Sequence, residues 1–490
     1  MMQDDSKEKF DFRSRRSFLK NAGLGCGSLA LMKLLQDQQL LSQALAKSAT
    51  ANAQAAVSQL QPHFAPKAKS VIWLFMPGSP SQVDTFDYKP ELQKRSGQKL
   101  EGADPKTGFF TTSGKMLGSP FKWKQYGESG AWASEVFPHT TQHVDKMAFI
   151  YSMYSRSNNH TPAMLEMNSG MFLQGRPCMG SWLTYGLGSA NNNLPGFVVL
   201  HGHMPRGGTP IWSPGFLPKK YQPTAIDGRS AVPIANLARL KGMNDKQQRA
   251  QLDVLKSLNA KHQKLRPHEA DLAARLESFE LAYRMQTAAP EAMDINRESK
   301  VMREVYGIDK KETQLVGKQC LTARRLIERG VRFVQIYAGT NGGAGGVADV
   351  PWDGHSDIGV NHRIAAKSVD QPIGALLGDL ESRGMLDETL VVWGGEFGRT
   401  SDSQGSKGRD HNPNAFTMWM AGGGIKGGVQ YGASDEFGYK AVDKRVGVND
   451  LHATILHLLG IDHERLTYRF NGRDYRLTDI AGSVIKPLLA

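Results

Sequence analysis

Six apolar runs punctuate the chain: Val71–Met76, Met147–Tyr151, Phe197–Leu200, Val331–Tyr337, Leu390–Trp393 and Phe416–Met420. They are largely continuous rather than alternating, as expected of strands buried on both faces. Helical patterns lie between and after them. Thr161-Pro162 predicts a helix start, with threonine as N-cap and proline at the first helical position. Leu272, Leu276, Phe279 and Tyr283 make an apolar stripe within a mostly helical segment, 244–330. That segment is either a helical insertion or the layer covering one face of a sheet. Val369, Ile373, Leu376 and Leu380 give a second stripe, which stops at Gly384, and Asp450 opens a last helix through Leu459. Residues 90–130 and 201–225 read as surface excursions rich in polar residues, glycine and proline. Strands alternating with helices predict an α/β fold: a mostly parallel, doubly wound sheet with helices on both faces.

In such a sheet, ligands bind beyond the carboxyl ends of the strands. Candidate chemistry recurs there. Asp84 and Asp87 follow the first strand, and Asn159-His160-Thr161 follow the second. The glycine-rich Gly339–Gly346 and then Trp352-Asp353-Gly354-His355-Ser356-Asp357 follow the fourth. Glu396-Phe397-Gly398-Arg399-Thr400 and Gly408-Arg409-Asp410-His411 follow the fifth. Carboxylate with imidazole is the ligand set of zinc, manganese and similar metals. Each residue also has an ordinary reading: Asp353-Gly354-His355 as a turn, Glu396 as a partner of Arg399, His160 as a polar residue near a helix start. Thr161 is either a simple cap or a nucleophile placed at the positive end of a helix. Gly422–Gly428 lacks the Gly-Lys-Ser/Thr ending of a phosphate loop and reads as a tight connection. His452 and His457 receive no role.

The start of the chain differs in character from the rest. Ser14-Arg15-Arg16-Ser17-Phe18-Leu19-Lys20 reads as a twin-arginine signal, followed by a weakly apolar stretch and a small-residue exit near Ala44-Leu45-Ala46. Residues 1–46 are therefore expected to be a leader handled by the twin-arginine translocase, 47–68 a tether, and 69–490 the folded domain. The mature chain is expected in the periplasm or otherwise outside the cytoplasm, without a membrane-spanning segment. Residues 1–46 hold seven Lys/Arg and five Asp/Glu, so +11 of the formal +13 remains without them. That excess suits an anionic ester or acidic polymer, or is simply spread over the surface. No motif for nucleic acid is present. Cys178 and Cys320 are the cysteines left, enough for one disulfide but not for a framework.

The order of these motifs resembles the alkaline phosphatase-like superfamily, which includes sulfatases and cofactor-independent phosphoglycerate mutases. Within it, residues 352–460 are most similar to a twin-arginine-exported bacterial family catalogued as domain of unknown function 1501. The resemblance implies an alkaline phosphatase-like core with a helical insertion and a divalent metal: zinc, manganese or calcium. It places Asp353, His355 and His411 on one metal, with Asp84 and Glu396 near another. Thr161 would be the nucleophile, and His160 and Arg399 would face the substrate. Two departures stand out. Glu396-Phe397-Gly398 occupies the place of the usual Asp-His-Gly, and Asp84 comes later than the acid at the end of the first strand. The implied activity is metal-dependent hydrolysis of phosphate or sulfate esters. The alternative is a non-catalytic envelope binding or scaffolding protein that keeps the fold.

Overall fold

Strand β1, Ser70–Phe75, shows how the apolar runs are used. All six residues are buried. Ile72 and Leu74 enter one hydrophobic core; Val71, Trp73 and Phe75 enter another. Successive side chains of a strand point to opposite faces, so a strand covered on both sides has no polar position to alternate. The other members are β2 (Met147–Tyr154), β3 (Phe197–His201), β4 (Thr224–Asp227), β5 (Phe333–Tyr337), β6 (Thr389–Gly394), the pair β7 (Gly398–Gln404) and β8 (Gly408–Asn412), then β9 (Phe416–Ala421), β10 (Gln430–Tyr431) and β11 (Val446–Gly447).

The computed structural model describes residues 61–104, 106–265, 270–339 and 349–490. The expected leader, most of the tether and nearly all of the glycine stretch 339–346 lie outside the described residues. The chain divides into two compact units. One is Val57–Leu240 with His268–Ala490; the other includes Lys241–Pro267, where Asp245–Leu265 is a helix. No helix among the described residues is long and apolar enough to cross a membrane.

In the larger unit the main sheet runs β10-β2-β9-β6-β1-β5-β3-β4, with β11 also pairing with β2. Every pairing in it is parallel except those of β9, which runs against β2 and β6. Helices α1 (His160–Ser169), α2 (Met179–Leu187), α3 (Ala270–Met293), α4 (Gln314–Glu328), α5 (Ile358–Ser382) and α6 (Val448–Leu458) cover it. Residues of α3, α4 and α5 fill the core beside Ile72 and Leu74, and residues of α1, α2 and α6 the core beside Trp73 and Phe75. The mostly parallel sheet with helices on both faces is therefore observed. Cys178 and Cys320 are buried in these two different cores as free thiols, so the conceivable disulfide between them is not formed.

Two local readings shift. Helix α1 starts at His160 with Asn159 as its N-cap, so Thr161 is the second helical residue and not the cap. Helix α6 starts at Val448, and the Asp450 carboxylate reaches back to accept from the Gly447 N–H at 2.9 Å.

Two fully buried histidines tie the packing to pH. His362 in α5 accepts the Ser81 N–H on Nε2 at 2.7 Å and directs Nδ1 to Asn361 Oδ1 at 3.0 Å. His452 in α6 directs Nε2 to the Met167 carbonyl at 2.8 Å. Burial lowers both pKa values, to about 3 for His362 and about 4 for His452. The folded values lie below the ordinary 6.5, so the unfolded chain binds more protons in between. Stability is thus expected to fall as pH drops from about 6.5 toward 4, by about 1.4 kcal/mol per pH unit for each histidine. Urea midpoints at pH 7.5, 5.5 and 4.5 check this; a midpoint that rises on acidification contradicts it.

Candidate metal centre

Because β1, β2, β5 and β6 run parallel, their carboxyl ends open onto one side of the sheet. The turn after β1 is Met76-Pro77-Gly78-Ser79. Gly78 has φ +95°, and any side chain there would press on the backbone at Val350, Trp352 and Asp353. Glycine at 78 therefore allows the segment bearing Asp353 to lie directly on the end of β1. The antiparallel hairpin β7–β8 sets His411 opposite Arg399, with a bulge between Arg409 and His411. At Gly408 a Cβ would overlap the backbone carbonyl of His355. The hairpin thus packs against the Asp353–His355 segment backbone to backbone.

These elements set three imidazoles around one carboxylate oxygen. The Asp353 carboxylate oxygen Oδ1 lies 2.9 Å from His355 Nε2 and 3.3 Å from Nε2 of both His160 and His411. His355 Nε2 and His411 Nε2 are 3.0 Å apart. Each imidazole is held from behind at Nδ1: His160 by Glu396 Oε1 at 2.6 Å, His411 by the Asn158 carbonyl at 2.5 Å, and His355 by the Gln404 side-chain amide. A carboxylate and a carbonyl only accept. The Nδ1 atoms of His160 and His411 must therefore carry their protons, which directs the two Nε2 atoms at Asp353.

Electrostatics sharpens the point. Burial pushes the His411 pKa down to about 3, so this ring is neutral near pH 7. A neutral His411 that donates from Nδ1 presents a lone pair on Nε2, only 3.3 Å from a carboxylate oxygen and 3.0 Å from another imidazole nitrogen. Asp353 is ionised: burial raises its pKa, but Arg399 and the three histidines more than offset this and hold it well below the usual range. For His160 burial acts downward, and Asp353 and Glu396 outweigh it to favour the cation. His160 Nε2 is buried without a hydrogen-bond partner. With the His411 lone pair and the Asp353 carboxylate at one point, positive charge is favoured there, as a proton on His160 Nε2 or as a metal ion in its place. Imidazoles braced at the far nitrogen are the usual surroundings of a bound metal. His160, Asp353 and His411 form one group of ligand atoms within 4.8 Å of one another, and His355, Asp410 and His411 form a second.

The expected site residues separate into distinct jobs. Asp353, His355 and His411 come together, and His160, expected to face substrate, joins them. Glu396 meets the cluster through His160, and its Oε2 is buried without a hydrogen-bond partner. Its Oε1 accepts from His160 and from the Gly78 N–H at 3.0 Å, and the whole side chain is buried. It positions His160. Arg399 is fully buried too, bound to Asp353 Oδ1 at 2.6 Å and to the carbonyls of Gly78 and Ser79. It braces Asp353 from beneath and has no exposed edge for a substrate. Asp84 lies outside the cluster, in a two-point pair with Arg409 at 2.6 and 3.2 Å, both fully buried. Its oxygens are engaged by Arg409 and by the Ser81 hydroxyl, and Asp84 belongs to neither group of possible ligands. Thr161 packs beside Gly207, where an added Cβ would come within 3.3 Å of its Cγ2. Asp410, Asn158 and Gln404 were not singled out from sequence as individual site residues, although Asp410 adjoins His411. Phe397 stands where a ligand was expected, its ring centroid 5.0 Å from His160 and 4.6 Å from His411.

A family model described as "Protein of unknown function (DUF1501)" matches residues 68–489. No curated protein matches the sequence. Among solved structures, the chain is similar to a phosphonate monoester hydrolase from Silicibacter pomeroyi, with 12% identity, 86% of this chain and 76% of that chain covered, and a TM-score of 0.39. It is also similar to a sulfatase from Pseudoalteromonas sp., with 13% identity, 86% and 71% covered, and a TM-score of 0.35. For the alkaline phosphatase from the Antarctic bacterium TAB5 the values are 11%, 81% and 99%, and 0.35.

Proposed function

We infer what this chain does from its site, because it belongs to DUF1501, a family described as being of unknown function. The reading is an exported hydrolase of phosphate or sulfate esters that depends on one divalent metal ion held by His160, Asp353, His355 and His411. The observation that carries it is the convergence of three Nε2 atoms on the Asp353 carboxylate. Three nitrogens and one oxygen suit zinc or manganese; calcium takes six to eight oxygens. When bound, such an ion supplies Lewis acidity toward an ester oxygen and eases deprotonation of water. The chain's own residues do the rest. Glu396, Gln404 and the Asn158 carbonyl fix the ring orientations, and Arg399 keeps Asp353 ionised and pointed outward.

The attacking group in this reading is water, with Thr161, the second residue of α1, as the covalent alternative. Elemental analysis and turnover of 4-nitrophenyl phosphate and sulfate, before and after chelation, test the reading. His411→Ala is expected to abolish metal binding and turnover, and Thr161→Ala to change turnover less than about tenfold. Turnover that survives His411→Ala sinks the site; a far larger loss with Thr161→Ala restores the covalent route. Phe397 favours the second reading, a non-catalytic binding or scaffolding protein, because its ring fills space beside His160 and His411. Stoichiometric metal without turnover of any ester selects that reading. Export rests on Ser14–Lys20. With Arg15 and Arg16 both changed to lysine, cell fractionation is expected to find the chain retained in the cytoplasm.

A further inference from the structure

Phe109 and Phe110 are each about half exposed, in a stretch otherwise made of polar residues and glycine. Their rings meet edge to face with centroids 5.0 Å apart. Phe109 lies 5.7 Å from the His411 ring, and Phe110 meets the His355 ring edge-on at 5.1 Å. Two apolar rings thus stand in solvent against two of the metal-binding imidazoles.

The segment is held in place by many bonds. Asp410 accepts the Phe110 N–H on Oδ2 at 2.5 Å and the His411 N–H on Oδ1 at 2.8 Å. One buried carboxylate therefore ties the phenylalanine segment to a metal-binding residue. The Asn158 side-chain amide donates to the Gly108 carbonyl at 2.8 Å, while the Asn158 carbonyl braces His411. Tyr439 Oη bonds Thr107 Oγ1 at 2.7 Å. Glycine at 108 is required, since an added Cβ would overlap the Asp410 carboxylate. Residues that build the centre also build the mount for the two rings. Exposed apolar surface set this firmly beside a polar site marks a place where something binds.

We propose that Phe109 and Phe110 form the subsite for the alcohol side of the substrate, seating the apolar face of a ring while the anionic group reaches the centre. This rests on the metal-centre reading above and adds the substrate class: esters of ring-bearing alcohols, aryl or sugar, in preference to open-chain ones. Stacking on such rings contributes a preference of roughly three- to tenfold.

The test uses the zinc-loaded full-length mature chain and two readouts. Calorimetry compares phenylphosphonate with methylphosphonate, neither of which is an ester, and glucose 6-phosphate with glycerol phosphate. Turnover compares 4-nitrophenyl phosphate with glycerol phosphate. Each ring-bearing probe is expected to bind roughly three- to tenfold tighter than its open-chain partner. Phe109→Ala/Phe110→Ala should erase that difference while leaving bound zinc and melting temperature unchanged. Phe110→Leu, which keeps apolar bulk without a ring, should lose part of it. A preference shown only by the phenyl pair assigns the subsite to aryl groups, and one shown by both pairs extends it to sugars. Equal binding of ring and open-chain probes to the unaltered chain overturns the proposal, as does a preference that survives the double substitution. A preserved binding preference with no turnover overturns the hydrolase reading and leaves the subsite standing.

Discussion

Asp353→Asn should empty the centre and abolish ester turnover. Asp353 Oδ1 is the atom shared by all three imidazole Nε2 contacts and by Arg399. Asparagine keeps the shape but removes the charge that draws a cation among the lone pairs. Altering the groups behind metal ligands usually lowers affinity by about 10- to 100-fold, and loss of the shared ligand should exceed this. Glu396→Gln supplies the comparison. It leaves all four proposed ligands in place and weakens the hold on His160 Nδ1, so its effect should fall within about 10- to 100-fold. Titration with zinc under a competing chelator measures both. The substitution at 353 also leaves the fully buried Arg399 without its carboxylate, a destabilisation of order 3–5 kcal/mol. Melting curves must therefore accompany the titration. Equal zinc affinity of the Asp353→Asn and unaltered chains refutes the centre.

The second large effect concerns stability rather than metal. Arg409 has its guanidinium on Asp84 and on the carbonyls of Thr400, Ser401 and Leu117, with no exposed surface. Asp84 is held ionised: burial raises its pKa, and Arg409 more than reverses that. Arg409→Met leaves a buried carboxylate unpaired and should cost about 3–5 kcal/mol, read as a fall in urea midpoint. Asp84→Leu combined with Arg409→Met removes both charges and should recover part of the loss. Zinc content separates the two views of Asp84. A folded Asp84→Asn chain should still hold a full equivalent of zinc; loss of zinc without unfolding would return Asp84 to the centre.

The six strands were readable because each apolar run has to fill two cores at once, as β1 does. The location of the chemistry was readable too, since parallel strands present their carboxyl ends on one side. The division of labour was not. Asp84, Asp353 and Glu396 are alike as carboxylates after strands, and what separates them is which cation or imidazole the folded chain sets beside each. Arg399 shows the same limit from the other side: a guanidinium near a site looks like an anion receptor until its donors are found on Asp353 and three carbonyls. The roles of His160 and Thr161 turned on one local choice. With Asn159 as N-cap instead of Thr161, the histidine occupies the first helical position and enters the cluster. The hairpin β7–β8 went unread because Gly398–Gln404 carries no apolar alternation; its residues are buried by polar contacts.

The four side chains proposed to hold the metal are spread from position 160 to position 411. In an unfolded chain, drawing His160 next to Asp353 means closing a loop of nearly two hundred residues, and the entropy of that closure opposes any grip beyond the neighbouring Asp353 and His355. The unfolded chain is therefore a poor competitor for the metal, and nearly all the binding free energy acts on the folded form. Such a centre behaves as a clasp across the strand ends. Removing its ion should lower the melting temperature of the whole larger unit, so simple thermal scans become a gauge of how much metal a preparation contains.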